Sequence, residues 1–397
     1  MLISLFLLAL LLGILAGTIT GLTPGIHINL VAAILLSMTS LQQNITFFIV
    51  LVTAMAITHT FIDFIPSIFL GAPDEENALS VLPGHELLLK GHGHHAVKLT
   101  LVGSVIAVFL FIPLSLLIIF FVPKIYPFIN RMLGFFLIWI VILLVYSERK
   151  SKLKAVLIFT LSAFLGFAVL NLELSDPLLP LFSGLFGASI IIFSIKQKTK
   201  IPLQKKERIP IFKKDIIKPT IASILVSPIC ALFPGLGSSQ AAVIGSEITG
   251  KLDREQFLIL IGSVNTLILS LSFVVLFTIQ KNRTGIAAAI SEITTLSNSN
   301  LILIFATIIL STIILVPLIL FLSKIFSKYI LKINYQKLSF AVLTLIIIIV
   351  IFFSGALGFF VFVASTILGL TCTEFEVRKS FLMGSLMMPT IIYYLPI

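Results

Sequence analysis

His59 and Asp63 lie four residues apart inside the apolar stretch 45–70, so a helix there carries both on one face. Ionisable groups in hydrocarbon are costly to keep, and the chemistry that fits them is uptake and release of a proton or a sodium ion. Two further ionisable groups stand in apolar surroundings: His27, two residues after a Pro-Gly pair, and Glu247, about three helical turns after a second one. Each has a plainer explanation. His59 and Asp63 can satisfy one another in a packed interior, and Glu247, close to Gly250 and Lys251, can reach toward the membrane surface. Asp63 is the leading candidate for ion coupling, with His59 and Glu247 beside it.

Uncharged polar groups gather at the two Pro-Gly pairs. The first segment reads Gly21-Leu22-Thr23-Pro24-Gly25-Ile26-His27-Ile28-Asn29 and the second reads Leu232-Phe233-Pro234-Gly235-Leu236-Gly237-Ser238-Ser239, with Asn265 and Thr266 one helix later. If a helix restarts at each glycine, the N–H groups of Gly25, Ile26 and His27, and of Gly235, Leu236 and Gly237, present two partial positive charges. Two such ends facing each other would clasp a small anion without an arginine in the membrane. The competing explanation is that the glycines only permit close hairpin packing.

These groups must be positioned by helices in a bilayer. The 397 residues are 58% hydrophobic and 11% charged, with a mean hydropathy of +1.19, more apolar surface than a soluble domain of that length can bury. Apolar runs fall near 45–70, 99–122, 125–147, 155–171, 178–195, 256–280, 300–323, 338–353, 355–371 and 380–396, with broken segments at 2–38 and 220–249. A continuous helix over 2–38 would measure about 55 Å, too long for one crossing of a roughly 30 Å core, so the break reads as the tip of a hairpin. The expected fold is an all-α polytopic membrane protein of about ten transmembrane helices plus two Pro-Gly-broken hairpins.

Basic residues orient this layout. The stretch 196–218 holds nine lysines and arginines against Glu207 and Asp215, and the positive-inside rule makes it a cytoplasmic linker. Counting spans outward from it puts 23 of the 27 basic residues inside. The linker then divides a first membrane repeat (1–195) from a second (219–397). Their hairpins enter from opposite faces, a pseudo-symmetric inverted repeat of the kind that builds transporter sites from broken helices.

The remaining features exclude other functions. The net charge of +11 follows from cytoplasmic loops and needs no nucleic acid. Cys230 and Cys372 form neither a disulfide framework nor a metal set. Residues 2–20 lack a basic start and run straight into the first break, so they read as a retained helix. Four histidines in 85–95 lie in a glycine-rich connecting loop without a partner cluster, which argues against a metal site. The chain shows no His-Glu-x-x-His motif, nucleophile elbow or cofactor fingerprint, which sets an intramembrane hydrolase aside.

The two breaks, the Gly71-Ala72-Pro73 turn, Leu82-Pro83-Gly84-His85, Lys90-Gly91-His92-Gly93 with Ala96, and Leu232-Phe233-Pro234-Gly235-Leu236-Gly237 together resemble the large membrane permease subunit of tripartite tricarboxylate transporters. The likeness is to its shorter, archaeal-type branch, and it covers roughly 15–105 and 225–290. It implies ion-coupled symport of small carboxylates across the cell membrane, in bacteria with a periplasmic binding protein and a small membrane subunit. Partners expected of the chain are thus a small anion, a proton or sodium ion and the lipid bilayer; accessory subunits and a homo-oligomer stay open. A lipid-linked phosphate or other amphipathic anion is the alternative cargo, and a scaffold without transport is a further alternative.

Overall fold

A segment inside hydrocarbon must satisfy its own backbone, and every regular element among the described residues is helical. The computed structural model describes residues 2–23, 44–70, 81–148, 151–174, 177–196, 202–205, 210–233, 237–250, 252–330 and 335–395. In chain order these form α1 (Leu2–Leu22), α2 (Ile45–Ile62), α3 (Phe64–Leu70), α4 (Val81–Leu89), α5 (Gly93–Ser147), α6 (Lys152–Leu170) and α7 (Leu178–Phe182). A π-helical turn, Ser183–Ala188, leads into α8 (Ser189–Lys196). Then come α9 (Lys213–Leu232), α10 (Ser238–Ile248), α11 (Arg254–Ile279), α12 (Gly285–Ile293), α13 (Asn298–Tyr329) and α14 (Tyr335–Glu374). A 3₁₀ turn, Lys379–Met383, opens α15 (Gly384–Tyr394).

Among the described residues eight helices are long and apolar enough to cross a membrane, and two shorter apolar helices, Asn130–Tyr146 and Leu178–Phe193, accompany them. The protein is therefore an all-α, multi-pass membrane protein. Some expected boundaries shift. The runs 99–122 and 125–147 fall within one helix, α5, whose 55 residues would span about 80 Å if straight. Its prolines, Pro113, Pro123 and Pro127, remove backbone donors there, and the apolar span proper is Gly93–Phe128. The runs 338–353 and 355–371 likewise join as α14, interrupted at Gly355, whose φ of 63° suits glycine alone. The run 380–396 divides into the 3₁₀ turn and the 11-residue α15, too short to cross by itself.

Polar caps start the core helices where the sequence leaves hydrocarbon. Asn44 Oδ1 accepts from the Phe47 N–H at 3.0 Å to open α2. Asp253 Oδ1 accepts from Gln256 N–H at 2.8 Å, and Gln256 Oε1 accepts back from Asp253 N–H at 3.3 Å, a capping box that opens α11.

Two helices make the centre. The apolar length of α11 is buried throughout, and α2 with α3 is buried over most of theirs, whereas α1, α6, α9, α13 and α14 turn large apolar side chains outward. Each central helix is gripped by glycines. A Cβ at Gly13, Gly17 or Gly21 of α1 would strike α2 at Leu51 O, Met55 O and His59 O. A Cβ at Gly103 of α5 would fall on Ile259 O of α11, and one at Gly262 of α11 on Thr100 O of α5. Small residues let helices touch in the absence of a hydrophobic drive between them, and Ser104 Oγ uses that closeness to donate to Gly262 O at 3.1 Å.

Packing crosses between the halves of the chain. α2 packs on α13, α11 on α5, α14 on the 178–196 segment, and α15 on α6. Element order also runs in parallel: α1, α2–α3, α4 and α5 on one side of the 196–218 stretch, and α9, α11, α12 and α13 on the other, with α4 and α12 both nine residues long.

Candidate transport site

Asp63 stands at the joint between α2 and α3. Its N–H donates to His59 O at 2.9 Å and its own carbonyl accepts from Ser67 Oγ at 2.7 Å. Both His59 and Asp63 are buried, and His59 Nδ1 lies 3.1 Å from Thr20 Oγ1 on α1. The second of the two residues before the first break, Thr23, folds its hydroxyl back onto Ile19 O at 2.7 Å, while Thr20 Oγ1 also donates to Gly17 O at 3.2 Å. Thus the ionisable pair of α2 is tied to the last turn of α1, directly ahead of the Pro-Gly pair.

The other half of the site forms around α10 and α11. Gly237 N–H donates to Gln240 Oε1 at 2.8 Å, which closes the start of α10. Ser238 Oγ donates to Asn265 Oδ1 at 3.0 Å, so the residues after the second break are bound to the middle of α11. Ser238, Ser239, Gln240, Asn265 and Thr266 are all buried. Gln240 Nε2 and Thr266 Oγ1 have no hydrogen-bond partner among the described residues. Buried donors of this kind are costly unless something fills them. On the approach to the break, Phe233 stacks on Phe136 of α5 with centroids 4.8 Å apart, and Arg283 Nε donates to Cys230 O at 3.0 Å.

Of the expected anion-binding residues, Pro24, Gly25, Ile26, His27, Asn29, Pro234, Gly235 and Leu236 lie outside the described residues. The described ones divide into two neighbourhoods, Thr23 with the His59–Asp63 turn and Gly237, Ser238 and Ser239 with Asn265 and Thr266, on helices α2 and α11 that touch. Glu247 goes elsewhere. It sits at the far end of α10, half-exposed, with Oε1 3.4 Å from Arg378 Nη1. Arg378 Nε in turn pairs with the buried Glu148 at 3.0 Å, and its Nη2 donates to Leu144 O at 3.1 Å.

The histidine-rich segment is structural. His85 Nδ1 approaches Ile68 O at 3.3 Å, and burial lowers its pKa, which keeps the ring neutral. His94 Nδ1 bonds Ser323 Oγ at 2.7 Å, and His95 Nε2 lies 3.6 Å from Glu255. No group of three metal-ligating side chains occurs among the described residues. Residues 202–205 dock on the same corner: Gln204 Oε1 accepts from Gly93 N–H at 2.9 Å, and Lys205 N–H donates to Gly91 O at 2.8 Å. Sequence reasoning missed the Arg378–Glu148 pair and the burial of Lys379, because a Lys or Arg beside a loop reads as a solvated charge.

Fold and site define a helical membrane protein with buried polar groups at its centre, the class to which transporters belong. Residues 7–384 match the tripartite tricarboxylate transporter TctA family, and the chain belongs to that family. It is a family of tripartite tricarboxylate transporters. An uncharacterized protein of Methanocaldococcus jannaschii is 33% identical over 402 residues, covering 98% of this chain and 99% of its own length. No solved structure matches.

Proposed function

We propose that this protein is the permease of an ion-coupled transporter for small organic anions such as di- or tricarboxylates, in which the anion is held between two broken-helix N-termini. The observation that carries this reading is the pair of unfilled donors, Gln240 Nε2 on α10 and Thr266 Oγ1 on α11, two helices that pack on each other, with α11 in turn packed on α2. An anion accepts hydrogen bonds and donates none, so it suits donors left over by the fold. Asp63 and His59, buried and anchored to α1 just before the first break, take up the coupling proton or sodium ion. Family membership supports the cargo class and implies a binding protein and a small membrane subunit as partners.

The same reading includes the inverted repeat, 1–195 and 219–397 about a cytoplasmic linker. Parallel element order and reciprocal packing support it. So do the contacts among basic helix ends: Arg254 Nε lies 2.6 Å from Glu86, His95 meets Glu255, and residues 204–205 join 91–93. A cysteine placed within the linker should label only from the cytoplasm and one at Asn282 only from outside; labelling of both from one face would remove the repeat.

Transport is tested directly with purified protein in liposomes. Citrate or succinate should accumulate inside when a proton or sodium gradient is imposed and should not do so without one. Absence of uptake for every carboxylate offered, alongside uptake of a prenyl phosphate, would replace this cargo with a lipid-linked one.

A further inference from the structure

Lys379 is the only buried residue among the described lysines and arginines, 6% exposed. Its Nζ donates to Ser189 Oγ at 3.2 Å, and Ser189, fully buried, donates its own hydroxyl to Leu185 O at 2.7 Å. An ammonium carries three donors, and this is the one hydrogen bond it makes among the described residues. No carboxylate among the described residues pairs with it. Arg378 next door holds Glu148 and Glu247. A buried charge with no counter-ion is among the costliest features a fold can carry.

The surroundings are built rather than incidental. Ser189 follows the π-helical turn Ser183–Ala188, a rare conformation that clusters at functional positions. α14 crosses there so closely that a Cβ at Gly369 would strike Ser189 and Leu185 O, and one at Gly184 would strike Ser365. Ser365 Oγ, and Ser380 Oγ immediately after Lys379, are buried without a hydrogen-bond partner among the described residues. The 3₁₀ turn that Lys379 opens packs on α6, α14 and α10, and its last residue reaches the start of α10: Met383 Cε lies 3.7 Å from the place of a Gly237 Cβ.

We infer that Lys379 is a carboxylate-binding residue, whose ammonium receives a carboxylate of the transported anion at the Arg378 end of the site. This rests on the proposed transport of organic anions and names a cationic contact for it. The anion supplies the missing counter-charge, Ser189 holds the ammonium in place, and one short turn links it to the helix start at Gly237.

Citrate titrations at constant ionic strength, read as thermal stabilisation of the purified protein in detergent, test the assignment. Wild type should be stabilised by citrate. Lys379→Met should weaken citrate by about tenfold or more, and Lys379→Arg should recover most of that loss, since both retained charge and hydrogen bonding are needed. The empty Met variant should melt no lower than wild type, because the replaced ammonium has no ion pair to lose. Equal citrate affinity in wild type and Lys379→Met overturns the proposal. A variant-free check guards against misfolding: citrate should slow acylation of Lys379 in wild type, followed by mass spectrometry, and unchanged labelling also overturns it. Uptake measured on the same preparations separates the two readings. Transport in wild type with equal citrate affinity in the Met variant removes Lys379 alone. Binding lost in the Met variant without any transport keeps the site and removes the permease. Wild type that neither binds nor transports carboxylates removes both.

Discussion

α2 and α11 hold comparable places, each following a Pro-Gly pair and each buried at the centre, yet their chemistry differs. α2 and its joint to α3 carry His59 and Asp63 among the threonines Thr53, Thr58 and Thr60. Past its first turn, α11 carries no charge at all, only Ser263, Asn265, Thr266, Ser270, Ser272 and Thr278. One central helix therefore carries ionisable groups and the other only neutral hydrogen-bonding ones. On the proposed mechanism this is a separation of duties: neutral donors on α10 and α11 would hold the anion and α2 the coupling ion, so binding and driving force would reside on different helices. Both helices still need the same grip, since a rod surrounded on all sides fits only if a neighbour gives up its side chains.

The largest effect should come from that grip. Gly103→Leu puts a side chain onto the Ile259 carbonyl of α11 and should cost more than about 4 kcal/mol, seen as loss of folded protein in size-exclusion profiles. Folded, fully active Gly103→Leu would mean that α11 is not clamped as described. Next is the separation itself. Asp63→Asn should abolish gradient-driven accumulation while downhill exchange continues, because the neutral donors of α10 and α11 remain. Concentrative uptake at the wild-type rate in that variant would take Asp63 out of the mechanism.

Smaller effects distinguish the peripheral acids from the central one. Arg378→Ala takes the guanidinium from the buried Glu148 and should lower stability by about 3 kcal/mol, while Glu247→Gln, at a half-exposed pair, should change it by less than about 1 kcal/mol, both read from thermal melts. Coupling lost in Glu247→Gln but kept in Asp63→Asn would exchange their roles. The mildest change is expected on α11. Asn265→Ala takes the acceptor from Ser238 and should raise KM roughly fivefold, with a coupling near 1 kcal/mol in a cycle with Ser238→Ala. Additive effects of the two would show that their hydrogen bond does not shape the site.

Much of this fold was legible because hydrocarbon imposes a single rule on backbone. Apolar runs of span length became helices, whereas the hydrogen bond that joins Ser238 to Asn265 of the next helix had no sequence signal. Boundaries were less legible. Composition marks where a chain is apolar but not whether a proline interrupts it, so α5 runs through Pro113 and Pro123, while Gly355 provides the change of direction in α14. Lys379 was invisible for another reason. Charge counting assigns a basic residue beside a loop to solvent, and only three-dimensional packing against Ser189 shows that it faces inward. Glu247 looked like an intramembrane acid because its partner, Arg378, lies 131 residues away in the chain.

The reciprocal packing of the two halves has a consequence for synthesis. α2 rests on α13, and α13 does not begin until Asn298, long after α2 ends at Ile62. At roughly 5–20 residues per second, α2 waits on the order of 10–50 s in the membrane with His59 and Asp63 already inserted and its partner not yet made. α5 waits in the same way for α11. During that interval the first half has α1 and its glycine stripe to shield one side of α2, while the other side faces lipid or an insertion factor. A ribosome stalled within residues 206–209 would thus hold a chain with both central contacts open.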